Sequence, residues 1–396
     1  MIERPNYLEE LISFKDKELI KIVTGIRRCG KSTLFDIYID YLLKNGIDAS
    51  QIIRINLEEY EFDYIKTYNQ LYDYINSRLL KDRKNYVFID EVQKVNDFQK
   101  TCDSLYIKKN VDLYITGSNS KLLSGELATL LSGRYIEIKM LPLSFKEYIS
   151  YVGESDIQKK YVDYITKSSF PYTLMLDTPK EIRMYLDGLY NTVIVNDIAE
   201  RKEISDIGML KDVIKFMFDN IGNLCSSTSI ANTMTSNGRK ISVPTVEKYL
   251  EALVEAFILY KVSRHDIKGK NLLTTGSKYY VSDIGLRYYL LGSKTADEGH
   301  ILENIVYLEL IRRGYEVYIG KNDDTEVDFI AINEKGEEYY QVSYTVKDKN
   351  TLERELRALD NIKDHNPKYL LTTDYVPYTS YNGIKQINVF DWLLDK

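Results

Sequence analysis

Cysteine and histidine are scarce in this sequence. The three cysteines, Cys29, Cys102 and Cys225, are widely spaced and odd in number. That excludes a disulfide framework and a cysteine metal cluster, and it fits a reducing compartment. The three histidines, His265, His300 and His365, lie far apart and suggest no metal site. No apolar run approaches the roughly 18 residues of a membrane-spanning helix, so neither a span nor a membrane partner is expected. The first residues, Met1-Ile-Glu-Arg-Pro-Asn6, lack the charged-then-apolar layout of a signal peptide. The expected location is therefore cytoplasmic. Excess positive charge is missing too. A net charge of −6 leaves no global basic field for nucleic acid, so any such binding must come from local patches.

What is present is ordinary for a soluble chain of 396 residues, with 44% hydrophobic and 28% charged residues. That length suggests two or three domains. The 35 tyrosines are spread throughout, which reads as filler for half-buried positions and not as a stacking platform.

One stretch organises the rest. Leu19 to Thr24 is a short apolar, strand-like run, followed by Gly25-Ile26-Arg27-Arg28-Cys29-Gly30-Lys31-Ser32-Thr33. This is the Walker A spacing, in the strand–loop–helix setting its mechanism needs. The glycines let the loop curl and present backbone N–H groups, and the following helix adds its dipole. Gly25 through Thr33 would cradle the phosphates of ATP. Lys31 would reach the β- and γ-phosphates, and Ser32 would ligate Mg²⁺.

Residues 1–140 then alternate strands and helices, which argues for a parallel α/β sheet. A helix runs from Ser32 to Lys44 and a strand over Ile52–Asn56. Tyr86-Val-Phe-Ile-Asp90-Glu91 is an apolar strand ending in two carboxylates, the Walker B pattern. Asp90 would hold Mg²⁺ through water and Glu91 would polarise the attacking water. Val111–Thr116 is the next strand. Its tip, Gly117-Ser118-Asn119-Ser120, is either a plain turn or a polar sensor for the terminal phosphate, with Asn119 and Ser118 as candidates. Arg134, after Gly133 and before the β-like run Tyr135–Lys139, is either a surface arginine or a finger that completes a neighbouring copy's site.

Residues 141–204 read as a helical lid. Ser144 and Glu147 form a capping box, and Lys180 to Arg201 has one long helical pattern. Residues 205–290 give three helices and a β-hairpin, a winged-helix layout. Arg239, Lys240, Lys248, Lys268 and Lys270 would touch phosphates if it binds DNA, but Glu247, Glu251 and Glu255 share the third helix and favour a protein-contact module equally.

Residues 291–396 have the order α-β-β-β-α-β of restriction-endonuclease-like nucleases. Glu303 and Asp328 fit the helix and strand carboxylates of such a metal site. The third place reads Gln341-Val342-Ser343, where a carboxylate and a lysine are both missing. The catalytic set is therefore incomplete, and a binding or assembly domain is the favoured reading.

As a set, Arg4-Pro-x-Tyr-Leu, Ile26-Arg-Arg-Cys-Gly-Lys-Ser-Thr, Phe88-Ile-Asp-Glu-Val-Gln, Thr116-Gly-Ser-Asn, Ser132-Gly-Arg, Leu141-Pro-Leu-Ser-Phe-x-Glu and Glu303-Asn to Glu326-Val-Asp-Phe run nearly end to end. With them the chain resembles the AAA-superfamily ATPases of bacteria and archaea that carry a nuclease-like C-terminal domain. The resemblance implies ATP binding and hydrolysis, an AAA-type core, a helical or winged-helix middle, and a homo-oligomer in which Arg134 acts in trans. The expectation is an oligomeric motor or switch acting on DNA or a protein partner. The alternatives are an ATP-gated, Mg²⁺-dependent DNA nuclease and a regulatory ATP-binding module.

Overall fold

The computed structural model describes residues 2–119, 131, 133–292, 297–375 and 379–396, without the side chains of 192–194, 274 and 275. The chain divides into two compact units. One is Met1–Pro142 with Glu255–Phe257, and the other is Leu143–Val254 with Ile258–Lys396.

The first unit opens with helix α1 (Pro5–Ser13), then strand β1 (Ile20–Thr24), helix α2 (Lys31–Lys44) and strand β2 (Ile52–Asn56). Helix α3 (Tyr68–Asn76), strand β3 (Asn85–Asp90), helix α4 (Phe98–Tyr106), strand β4 (Val111–Gly117) and strand β5 (Tyr135–Lys139) follow. The strands form one parallel sheet in the order β2-β3-β4-β1-β5. Parallel strands need helical crossovers, which cover the sheet's faces, so the central strands are buried on both sides. All five residues of β1 and all six of β3 are buried accordingly. On one face, Phe35 and Tyr38 of α2 pack on Phe88 and Tyr114, with Phe88 and Tyr114 stacked 4.7 Å apart. The Tyr38 and Tyr114 hydroxyls share a hydrogen bond of 3.0 Å. The tyrosines are thus not confined to half-buried places: Tyr38, Tyr86, Tyr114, Tyr280 and Tyr339 rank among the largest fully buried side chains. A buried hydroxyl is tolerated where it finds a partner. The stretch 120–130 and Ser132, which lead to Arg134, lie outside the described residues.

The second unit starts with α5 (Phe145–Val152), α6 (Ile157–Lys167) and α7 (Pro179–Gly188). The capping box of Ser144 and Glu147 is formed as expected. The single long helix expected over Lys180–Arg201 is instead α7, a π-helical stretch over Leu189–Val195, and α8 (Asn196–Arg201). Then come α9 (Ile207–Asp219), α10 (Ser227–Ser236), α11 (Val243–Glu255) and the hairpin of β6 (Leu259–Asp266) and β7 (Asn271–Val281). The remainder is α12 (Ile284–Leu291), α13 (Glu298–Arg312), β8 (Glu316–Asn322), β9 (Thr325–Asn333), β10 (Gly336–Ser343), α14 (Lys349–Asp360), β11 (Lys368–Thr372), β12 (Thr379–Tyr381), β13 (Ile384–Asn388) and α15 (Val389–Leu394).

Three helices and a hairpin therefore occur in the expected order, and Cys225 bridges antiparallel to Ser277. The hairpin is not a free wing, however. The far half of β6 pairs in parallel with β8, from Arg264↔Ile319 to Asp266↔Lys321. One mixed sheet, β12-β13-β11-β10-β9-β8-β6-β7, runs through the unit. The boundary expected at 290/291 thus cuts a continuous sheet. Within that sheet β8, β9 and β10 are antiparallel, and α14 carries the chain to β11, parallel to β10. The segment expected as a lid packs inside this unit, where Phe145 of α5 and Tyr161 of α6 meet Phe390 of α15.

Candidate functional site

The nucleotide-site residues expected from sequence gather at the C-terminal ends of β1, β3 and β4. Gly25 ends β1 at φ +151°, and a Cβ there would lie 2.1 Å from the Met140 carbonyl oxygen. Only glycine fits. Gly30 sits at φ +105° as the N-cap of α2. Between them Ile26 and Cys29 are buried, while Arg27 and Arg28 face outward, Arg27 pairing with Glu58. Burial pushes the Cys29 thiol up, so it stays protonated. Ser32 and Thr33, in the first turn of α2, are exposed. A glycine-bounded loop running into the exposed first turn of a helix is the arrangement of an anion cradle.

The charged groups around it are buried. Lys31 is 4% exposed and donates to the carbonyls of Gly25 at 2.9 Å and Ile26 at 3.3 Å. Its Nζ lies 3.7 Å from Glu91 Oε1. Asp90 accepts a hydrogen bond from the Thr116 hydroxyl at Oδ1. Its Oδ2 is buried without a hydrogen-bond partner among protein atoms. The Glu91 N–H donates to Thr116 Oγ1 at 2.9 Å. Glu91 holds φ +53°, a left-handed conformation that costs a non-glycine residue roughly 1–2 kcal/mol. Gln93 and Ser118, the latter at 3.1 Å, both donate to Glu91 Oε2. Asn119 follows Ser118 at the tip of β4.

Arg134 is elsewhere. Its carbonyl accepts from the Ile20 N–H at the start of β1, and its side chain pairs with Asp103 over the Tyr106 ring. Because Tyr135 sits opposite Ile20 and Lys139 opposite Thr24, Arg134 lies at the other end of the sheet from the loop, roughly 13 Å along the strand direction. It is no part of its own chain's site.

Sequence reasoning gave no role to four residues that shape this site. Arg4 is 3% exposed and donates to the Cys29 carbonyl at 3.0 Å and the Leu141 carbonyl at 2.7 Å. Tyr7 accepts from the Leu141 N–H at 3.1 Å. The N-terminal segment therefore ties the back of the loop to the chain leaving β5. Thr116 serves both carboxylates, and Gln93 holds Glu91. All four stand inside the motifs that carry the resemblance, but only Thr116, at the tip of a strand beside Walker B, had a position that pointed to the site.

The second unit holds a separate pocket of about 430 Å³, lined by His300, Glu303, Glu326, Asp328, Gln341 and Glu355 among others. The expected pair Glu303 and Asp328 meets here. Lys278, from β7, is 2.9 Å from Glu303 and Glu326 and 3.9 Å from Asp328. Burial disfavours the Lys278 charge, but Glu303, Asp328 and Glu326 outweigh it and hold the ammonium above the usual lysine range. Burial, reinforced by the Glu303 charge, pushes the Asp328 carboxyl well above the usual carboxylate range. Gln341 donates to Glu355 at 2.8 Å. The ammonium in this pocket thus comes from a strand more than sixty positions before Ser343, beyond the reach of any local motif. Among the described residues no three His, Cys, Asp or Glu side chains are grouped as a metal ion requires.

Of the basic residues proposed to meet phosphates from the winged-helix region, Arg239 pairs with Asp212 and Lys268 with Asp323. Among the described residues, no helix is long and apolar enough to cross a membrane.

A five-stranded parallel sheet, a glycine loop opening a helix, and a strand ending in two carboxylates define the class: a P-loop protein of the AAA type. Residues 17–149 match the family described as AAA domain, and residues 158–297 match a domain of unknown function. The chain is 43% identical over 399 residues to an uncharacterized protein of Haemophilus influenzae, covering 100% of this chain and 99% of that one. It is 32% identical over 366 residues to the uncharacterized protein MJ1544 of Methanocaldococcus jannaschii, covering 87% of this chain and 79% of that one. The chain belongs to the family of these two proteins. Among solved structures, the Walker-type ATPase PABY2304 of Pyrococcus abyssi is similar in fold, with a TM-score of 0.50, 16% identity, and coverage of 73% of this chain and 96% of that one.

Proposed function

We propose that the protein binds and hydrolyses ATP with Mg²⁺ and works as an oligomeric switch. The observation that carries this reading is the buried Asp90 Oδ2, left without a protein hydrogen bond beside an intact phosphate cradle. A buried carboxylate oxygen without a hydrogen bond costs about 1–3 kcal/mol, and the Arg54 guanidinium at 3.6 Å balances its charge without bonding it. The residues fit a divalent cation: Ser32 and Asp90 would hold it, Asp90 through water. When bound, Mg²⁺ neutralises charge on the β- and γ-phosphates.

Lys31 exchanges its two carbonyl partners for phosphate oxygens. Glu91 accepts the proton of the attacking water, and Gln93 and Ser118 set the direction of its carboxylate. Asn119 contacts the terminal phosphate. Arg134 serves a neighbouring copy after leaving Asp103. The test is Glu91→Gln. ATP binding is retained while phosphate release falls by roughly 100-fold or more, the usual weight of a general base. Normal turnover in that variant would refute the assignment.

The partner is DNA or another protein, met through the winged-helix or C-terminal region. We take the C-terminal pocket as part of a binding or assembly domain of nuclease-like topology. One observation favours the second reading, a Mg²⁺-dependent nuclease: Lys278 supplies the ammonium absent at Ser343. Plasmid DNA incubated with the protein and Mg²⁺ separates the two. Cleavage that disappears in Asp328→Ala would establish the nuclease.

A further inference from the structure

Arg54 stands on β2, one strand away from the Walker B carboxylates, and nothing in the sequence marks it. Its Nη2 donates to Asp36 Oδ1 at 3.1 Å and to the Ser32 carbonyl at 3.4 Å. Its guanidinium lies 5.7 Å from the centre of the Phe35 ring. Those contacts anchor the group to the first turn of α2. The other nitrogen, Nη1, lies 3.6 Å from Asp90 Oδ2. Both atoms are buried, and neither has a hydrogen-bond partner. A donor and an acceptor of opposite charge therefore face each other just beyond bonding distance, beside Ser32.

This arrangement is unusual for an ion pair meant to stabilise a fold. An arginine and a carboxylate free to adjust close to a bidentate contact. Here the anchor on Asp36 and Phe35 keeps the guanidinium from closing. Asp90 gains a compensating charge but keeps its oxygen open.

Resting on the reading that Ser32 and Asp90 hold the divalent cation, we propose that Arg54 is a tethered counter-ion that competes with that cation for Asp90 and so sets the Mg²⁺ concentration at which nucleotide loads. Two cations cannot both be neutralised by one carboxylate. Held on Asp36 at 3.1 Å, Arg54 keeps its charge 3.6 Å from Asp90 Oδ2, where it opposes the entry of a second cation. Asp36, about half exposed, is the tether that sets how closely the guanidinium approaches Asp90.

The experiment is a Mg²⁺ titration of fluorescent ATP-analogue binding to wild type, Arg54→Gln, Arg54→Lys and Asp36→Asn. In Arg54→Gln the half-saturating Mg²⁺ concentration falls roughly fivefold to tenfold, because a like charge near the metal is gone. Arg54→Lys, which keeps the charge, stays near wild type. Asp36→Asn moves the other way, by roughly twofold to threefold, because the guanidinium loses its anchor and closes on Asp90. The Asp36 variant alters an exposed side chain, so it remains informative if Arg54→Gln folds poorly. An unmoved midpoint in Arg54→Gln or Asp36→Asn overturns the proposal. So does a loss of Mg²⁺-free nucleotide affinity in Arg54→Gln at constant midpoint, which would make Arg54 a phosphate ligand. Wild type that binds no nucleotide at all would instead sink the ATP reading on which the proposal rests.

Discussion

Lys31 and Lys278 are buried lysines that face carboxylates, and they are held in opposite ways. Lys31 donates only to backbone carbonyls and stands 3.7 Å from Glu91. Lys278 contacts Glu303 and Glu326 at 2.9 Å each, with Asp328 just beyond. Neutral carbonyls are partners that a phosphate can replace at small cost, whereas a buried ion pair surrenders its charge partner only at a large one. Lys31 is an ammonium kept in readiness for an anion. Lys278 is an ammonium already committed. The same contrast separates the carboxylates. Asp90 keeps one oxygen open, while the Asp328 Oδ2 accepts from the Val342 N–H at 2.8 Å.

The comparison can be broken at several points, taken from the largest expected effect downward. Lys278→Met leaves three carboxylates without their cation and should lower stability by about 3–5 kcal/mol, measured by denaturant unfolding. The sign of its pH dependence follows from the raised Lys278 value. A group raised on folding stabilises fully below its ordinary unfolded value and loses that contribution only as pH rises through the higher folded value. The titration of Lys278 itself therefore adds no difference between about pH 6 and about pH 9, since unfolded lysine titrates near 10.4. Any growth of the Lys278→Met penalty toward pH 9 comes from the raised Asp328 carboxyl it leaves behind. A penalty that shrinks toward pH 9 would show a lysine less firmly paired than the geometry indicates. Adding Glu303→Gln to Lys278→Met should recover part of the loss, because less uncompensated charge remains buried. The smallest effect falls on the first unit. Arg4→Ala strands the carbonyls of Cys29 and Leu141, and it should cost about 1–3 kcal/mol and weaken nucleotide binding through loop disorder. A variant as stable as wild type would remove Arg4 from the account.

The first unit was largely legible because its chemistry is local. Gly25, Gly30, Lys31 and Ser32 fall within eight consecutive residues, and Asp90-Glu91 end one apolar strand. Their spacing alone implies the cradle. What could not be read there are groups brought in by topology. Arg54 comes from the edge strand beside β3, and Arg4 from the residue that precedes α1. A charged residue in a strand or near the N-terminus has no pattern that predicts its burial. The second unit was legible as element order, and the helix–strand succession of residues 298–372 is close to expectation. Its site was not. The lysine that faces Glu303 and Asp328 stands at position 278, because the hairpin of β6 and β7 joins the sheet through β8. Nothing in the hairpin's own alternation shows which sheet will take it. The π-helical stretch at Leu189–Val195 was equally hidden, since the periodicity differs from that of an α-helix by less than a short segment reveals.

The claim that an uncommitted lysine marks the working site, and a committed one does not, is tested most directly by equilibrium binding of Mg²⁺–ATP to Lys31→Ala and Lys278→Met, side by side with wild type. The account predicts that Lys31→Ala loses binding by roughly 100-fold or more, as expected when a charge-assisted contact to phosphate is removed from a buried site, while Lys278→Met binds as wild type does. Undiminished binding by Lys31→Ala, or lost binding by a folded Lys278→Met, would contradict it.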